Sequence, residues 1–183
     1  MYGLKRRLGR GLGAALLLAL ATPVCASIET PEAKAEASGA ALMANLHMEE
    51  VFGAKRPKAG QYLWRKGSFE GEPIVVVSLS EQLAYVYRGA ALVAVAAIST
   101  GVDKHPTPKG IFRVMMKKPM HRSIKYDLAP MPFMQQIDEY GTALHAGHNP
   151  GYPASHGCIR LPSEFAKRLY AVTGVGATVM IGA

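Results

Sequence analysis

Between Gly141 and Pro162 the chain reads GTALHAGHNPGYPASHGCIRLP, which gathers His145, His148, His156, Cys158 and Arg160 into one segment rich in glycine and turns. A structural cysteine normally sits within an apolar run. Cys158 instead follows Ser155-His156-Gly157 and stands two residues before Arg160. Imidazole and cationic neighbours lower the pKa of a thiol and make it a nucleophile. Gly157 allows close backbone approach to a substrate. The adjacent N–H groups of Gly157 and Cys158 offer a pair of donors for an oxyanion. Together these groups suit covalent acyl transfer. The competing chemistry is zinc hydrolysis, because His145, His148, His156 and Cys158 could supply the three protein ligands of a catalytic zinc. Gly and Pro interrupt that spacing, which matches no helical metal motif. The expectation is therefore a metal-free, cofactor-free site.

The elements that must position these groups are mostly strands. Residues 74–79 (IVVVSL) are apolar and β-branched, and residues 83–88 (LAYVYR) and 91–98 (ALVAVAAI) alternate, with Arg88-Gly89-Ala90 as a hairpin turn between the last two. A Pro-punctuated loop at 105–110 precedes a strand at 111–116, and residues 117–140 read as irregular. A short strand at 142–146 leads into the Gly- and Pro-rich stretch. A helix is expected from Ser163, as N-cap, to about Thr173, followed by a closing strand at 177–181. Upstream, residues 27–40 read as a flexible linker and 40–52 as a short amphipathic helix carrying Leu42, Met43, Leu46, Val51 and Phe52. Residues 53–72 read as the approach to the main domain, with Trp64 covering a core edge. His47, His105, His121 and His148 read as surface or loop residues, and Lys117 and Lys118 as a solvated pair. Tyr126, Phe133 and Tyr152 suit either a groove or the core.

Residues 1–26 read as a cleaved signal peptide. Lys5, Arg6, Arg7 and Arg10 precede a short apolar run at 12–21, and Val24 and Ala26 suit cleavage after Ala26. The run is about half of the roughly 20 residues a membrane-spanning helix needs. Lipid attachment at Cys25 is the alternative. The formal net charge is +8, and residues 1–26 hold four basic and no acidic residues, which leaves +4 for the remainder. That value is ordinary for a soluble domain and gives no support to nucleic-acid binding. Cleavage leaves Cys158 as the lone thiol of an exported protein, where paired cysteines are the rule.

Ser155-His156-Gly157-Cys158-Ile159-Arg160 resembles the signature of the L,D-transpeptidases (the YkuD-like catalytic domain), with His145 as its upstream histidine. Residues 79–87, Thr100-Gly101 with Pro106-Thr107-Pro108-Lys109-Gly110-Ile111-Phe112, and Ala129-Pro130-Met131-Pro132-Phe133 resemble further segments of that family. The resemblance covers roughly residues 73–183. It implies a mainly β fold, an L,D-transpeptidase-like β-sandwich with one or two short helices. It also implies Cys158 as nucleophile, His145 as general base, Gly157 and Cys158 as oxyanion donors, and His156 as support for the thiol. Arg160, Ser155 and Tyr152 would contact substrate, Arg160 through a substrate carboxylate. Implied partners are peptidoglycan stem peptides, a wall-anchored lipoprotein as an alternative acceptor, and carbapenem-type β-lactams as inhibitors. L,D-carboxypeptidase activity and protein-to-wall attachment use the same thioester and stay open. A zinc hydrolase and a non-catalytic wall-binding module are the weaker rivals. Ala146 after His145 departs from members that carry a hydroxyl or glycine there. The change is harmless if a backbone carbonyl orients the base. The 13 positions from His145 to Cys158 imply a trimmed loop over the site.

Overall fold

The alternation in residues 73–97 becomes the middle of a sheet. A computed structural model describes residues 27–183; the expected signal segment and Cys25 lie outside the described residues. Strands β3 (Pro73–Ser78), β4 (Leu83–Arg88) and β5 (Ala91–Ala97) pair antiparallel in sequence order. Gly89, at φ +55°, makes the expected turn between β4 and β5. The sheet is completed by β1 (Ser27–Ile28), β2 (Tyr62–Trp64), β6 (Gly110–Arg113) and β11 (Thr178–Gly182), in the order β1-β6-β11-β3-β4-β5-β2. A second sheet holds β7 (Met116–Arg122), β8 (Pro130–Gln136), β9 (Ala143–Ala146) and β10 (Ile159–Leu161), in the order β10-β9-β8-β7.

Both faces of the seven-stranded sheet are buried, and the period of two separates them. Val75, Val77, Ala84, Val86 and Val179 face one core, shared with Leu144, Ile159 and Leu161 of the second sheet. The same core takes Phe165 and Leu169 of α2 (Ser163–Val172). Val76, Leu83, Tyr85 and Val95 face the other core, beneath α1 (Pro31–Phe52). Each large side chain buried in this way contributes about 1.5–3 kcal/mol. The sandwich of two sheets with two helices, among the described residues, matches the expected architecture. Trp64 covers a core edge, packing edge-on against Phe165 with ring centroids 5.6 Å apart.

Five local expectations need correction. Helix α1 begins at Pro31, so most of the expected linker is helical; Thr30 caps it, accepting a hydrogen bond from the Ala33 N–H at 3.2 Å. Its buried stripe is Ala33, Ala37, Ala41, Ala44 and Met48, while Leu42, Met43 and Leu46 are 65%, 50% and 50% exposed. Small side chains let the helix lie almost on the sheet backbone. A β-carbon added at Gly182 would stand 2.4 Å from the Ala37 carbonyl oxygen. Residues 117–140 are not irregular, since β7 and β8 form an antiparallel hairpin. Lys117 is not solvated: its ammonium donates to the carbonyls of Tyr170 and Thr173 at the end of α2 and lies 4.1 Å from the Tyr170 ring centre. A cation there neutralises carbonyls that the helix leaves unpaired. Ser163 is the first helical residue, with Pro162 in the cap position and no side-chain cap bond.

Candidate active site

Strands β9 and β10 run parallel, with Ile159 opposite Leu144, Arg160 opposite His145 and Leu161 opposite Ala146. Leu144, Ala146, Ile159 and Leu161 enter the core. Alternation therefore sends His145 and Arg160 to the opposite face, and Cys158, two residues before Arg160, goes with them. All three line a cavity of ≈ 680 Å³. The β7–β8 hairpin, including His121, Tyr126, Met131 and Met134, forms much of its opposite wall.

His145 is buried, and its Nδ1 lies 2.8 Å from the carbonyl oxygen of Ala146. A carbonyl can only accept, so Nδ1 carries the proton and Nε2 is left with a free lone pair. The orienting group is thus a backbone carbonyl, and the Ala146 departure costs nothing. Burial pushes the His145 pKa below the ordinary histidine value. The Ala146 carbonyl opposes that shift, and the charges of Arg160 and His121 add to it.

Cys158 is the free cysteine of the described residues. Its thiol points at the Gly141 carbonyl, with Sγ 3.8 Å away. Burial pushes its pKa up. A hydrogen bond from Ala143 pulls it down, the carboxylate of buried Asp138 raises it again, and Arg160 lowers it. The expectation of a thiol ionised by its neighbours is overturned in direction. Desolvation outweighs the cations at the thiol, and burial likewise favours the neutral form of the His145 imidazole on the same cavity wall.

The turn that carries Cys158 is tied internally. Gly157 sits at φ +110°, which favours glycine. Ser155 is buried; its hydroxyl accepts from the Gly157 N–H at 3.1 Å and donates to the Cys158 carbonyl at 2.5 Å. Two expectations change. Ser155 spends its hydroxyl on the turn rather than on substrate. The Gly157 N–H is also spent, which breaks the expected donor pair. Among the described residues the Cys158 N–H meets no acceptor and remains available.

The remaining candidates divide. Arg160 is partly buried on the cavity wall, and its guanidinium makes no ion pair or hydrogen bond among the described residues. His156 is exposed and stacks on Tyr126, with ring centroids 4.4 Å apart and planes at 22°, and the His105 ring lies tilted with its centroid 5.1 Å away. Tyr152 is 62% exposed and stands outside the cavity; its carbonyl accepts from the Ser99 hydroxyl at 2.7 Å. His148 is an exposed residue at the rim. No group of three or more His, Cys, Asp or Glu side chains that could hold a metal ion occurs among the described residues. Sequence reasoning took the cavity residue His121 for a surface or loop residue and missed Asp138. The first lies in a strand that the sequence hides; the second is a buried carboxylate whose Oδ1 accepts from the Thr142 N–H at 2.8 Å.

Residues 72–181 match the profile of the L,D-transpeptidase catalytic domain, YkuD. The chain belongs to this family. Solved L,D-transpeptidases share the fold. The one from Xylanimonas cellulosilytica superposes with a TM-score of 0.58 at 23% identity, over 75% of this chain and 69% of that one. The one from Stackebrandtia nassauensis gives 0.56 at 24%, over 64% and 58%. L,D-transpeptidase 3 of Mycobacterium tuberculosis, in complex with a faropenem-derived adduct, gives 0.56 at 20%, over 61% and 60%. The chain spans about three fifths of the length of most of these relatives. Comparison with curated protein sequences gives no significant match.

Proposed function

We propose that this L,D-transpeptidase-family chain is an exported enzyme that cross-links peptidoglycan stem peptides through a thioester at Cys158. The observation that carries the reading is the common face of β9 and β10. One strand supplies an imidazole with a free Nε2; the other supplies an unpaired guanidinium, and the residue just before that strand the thiol, all on one cavity wall.

His145 takes the thiol proton as sulfur attacks the carbonyl of the third stem residue, a diamino acid joined through its L-centre to D-alanine. The Cys158 N–H faces the oxyanion. The intermediate collapses with cleavage of the C–N bond, and His145 returns the proton to the departing D-alanine nitrogen. The amine of a second stem then attacks the thioester, its proton passes to His145, and the thiol is regenerated with a 3→3 cross-link formed. A neutral thiol and neutral base suit this order, because charge develops only as the carbonyl is attacked. Arg160 holds a carboxylate of the acyl donor with its planar fork. Export follows from residues 1–26 as read in the sequence.

Purified protein incubated with disaccharide-tetrapeptide is expected to release D-alanine and yield dimers by mass spectrometry, and Cys158→Ala to yield neither. D-alanine without dimers assigns the second step to water. Dimers formed only with a lipoprotein lysine assign it to attachment. Imipenem is expected to add its mass to Cys158, in keeping with the faropenem-derived adduct of the M. tuberculosis relative. A mass shift that persists in Cys158→Ala contradicts this.

A further inference from the structure

The Cys158 N–H can stabilise an oxyanion only if something holds it on target, and its own turn does not supply that hold. Ser155 fixes the Gly157 N–H and the Cys158 carbonyl, one peptide to either side. The peptide between Gly157 and Cys158 is a rigid plane whose carbonyl and N–H point in opposite directions. Whatever grips the Gly157 carbonyl therefore aims the Cys158 N–H. That grip comes from elsewhere in the chain: the Thr107 hydroxyl lies 2.8 Å from the Gly157 carbonyl oxygen.

The proton direction is settled by a second contact. The Gly101 N–H donates to Thr107 Oγ1 at 2.9 Å. Thr107 accepts there, so its own hydrogen goes to Gly157. Thr107 is buried, and no solvent competes for the bond. The hydroxyl sits inside a fixed frame. A β-carbon added at Gly101 would stand 2.1 Å from the His105 carbonyl oxygen and 2.9 Å from the Gly157 α-carbon. The Val102 N–H donates to the Ser155 carbonyl at 3.1 Å, and the Ser155 N–H to the Thr100 carbonyl at 3.0 Å. Donation into a peptide carbonyl also polarises the plane and strengthens the N–H at its far end.

We infer that Thr107 is a positioning residue of the acyl-transfer site, pinning the Gly157 carbonyl so that the Cys158 N–H is aimed at the oxyanion. The inference rests on the acyl-transfer reading above. It says that a loop between β5 and β6, with no side chain in the cavity wall, controls the charge-stabilising donor.

Two reagents separate this role from simple support of the fold. Imipenem acylates sulfur through a tetrahedral oxyanion. Iodoacetamide alkylates it at a saturated carbon and forms none. Thr107→Val preserves shape and removes the hydroxyl. It is expected to slow imipenem acylation by about tenfold or more, since losing an oxyanion donor outright costs roughly 10²–10³. Its alkylation rate should stay within about twofold of wild type. Thr107→Ser should restore acylation. Thr107→Ala carries the same expectation as the valine variant and replaces it if the valine protein does not give a cooperative melt. Acylation at the wild-type rate in the hydroxyl-free variant overturns the inference. So does a parallel loss of both rates, which signals a collapsed site. Wild-type protein that iodoacetamide alkylates and imipenem leaves unmodified overturns the acyl-transfer reading, and the inference with it.

Discussion

The cavity has two unlike walls. The wall carrying Cys158 is laced to residues 99–107 by backbone bonds, isolated bridges from Ser99 to Arg160 and from Gly101 to Ser155, and buried hydroxyls. The facing wall is the β7–β8 hairpin, whose tip at 122–130 is almost entirely exposed. Tyr126 stacks across the gap on His156, and Asp127 and Leu128 take positive φ in the turn. The contrast separates two jobs. Transition-state charge needs donors fixed before the substrate arrives. A bulky peptide substrate needs a wall that can give way, and few buried contacts make local opening cheap.

Substitutions can break or sharpen this contrast. The largest effect belongs to His145→Gln, which keeps a polar side chain but cannot take a proton at neutral pH. Imipenem acylation should fall by about 10²–10⁴; a loss under tenfold removes His145 from the base role. Burial lowers the wild-type His145 pKa, so the neutral, competent form persists to lower pH. The acylation rate should therefore rise with pH through a midpoint below about 6.5, the ordinary histidine value. The same depression makes the fold lose stability as pH drops below about 6.5, where the unfolded chain gains a proton that the folded one refuses. Alkylation by iodoacetamide should instead have a midpoint above about 8.5, because burial raises the thiol.

Next comes Gly101→Ala, which drives a methyl group into the His105 carbonyl. Chemical denaturation should show a loss of about 3 kcal/mol or more, and a loss below about 1 would mean that this wall is not rigid. Arg160→Lys replaces a fork by a point charge. The acyl-donor KM should rise by about tenfold with little change in kcat, and an unchanged KM dissociates Arg160 from the donor carboxylate. Tyr126→Ala should be the mildest. A stacked pair is worth about 0.5–1.5 kcal/mol, so a change in acylation between about twofold and tenfold and an unchanged melt are expected. A large loss of fold stability would make the hairpin a structural wall like its partner.

The sequence revealed the central sheet and the wall that carries Cys158 far better than the yielding wall. β3, β4 and β5 are β-branched, alternating and bounded by turn residues, so local pattern and tertiary burial agree. His145, Cys158 and Arg160 were legible because they stand in one Gly- and turn-rich segment, where Ser155-His156-Gly157-Cys158-Ile159-Arg160 resembles a family signature; the strand alternation that puts them on one face is visible only in the fold. β7 reads MKKPMHR, with a proline and four cationic or titratable side chains, and its pairing rests on backbone bonds to β8 that no side-chain pattern announces. Helix α1 misled for the opposite reason. Its large apolar residues suggested the buried face, but closeness to the sheet selects alanine. Ser155 was misassigned because a hydroxyl beside a nucleophile looks the same whether it serves substrate or backbone; only its partners decide. The raised thiol pKa was equally hidden, since burial is a property of the folded chain.

The alanine stripe of α1 bears on how this protein can be handled. The helix covers Val76, Leu83, Tyr85 and Val95, and it packs along β11, where the Ala183 N–H donates to the Ser38 hydroxyl at 3.2 Å. A fragment trimmed to the family-matching residues 72–181 would strip that roof and bare a continuous greasy panel on the sheet. Such a fragment should precipitate on expression, whereas one starting at Ser27 should stay in solution, because the shortest workable unit includes a helix that lies wholly outside the shared domain.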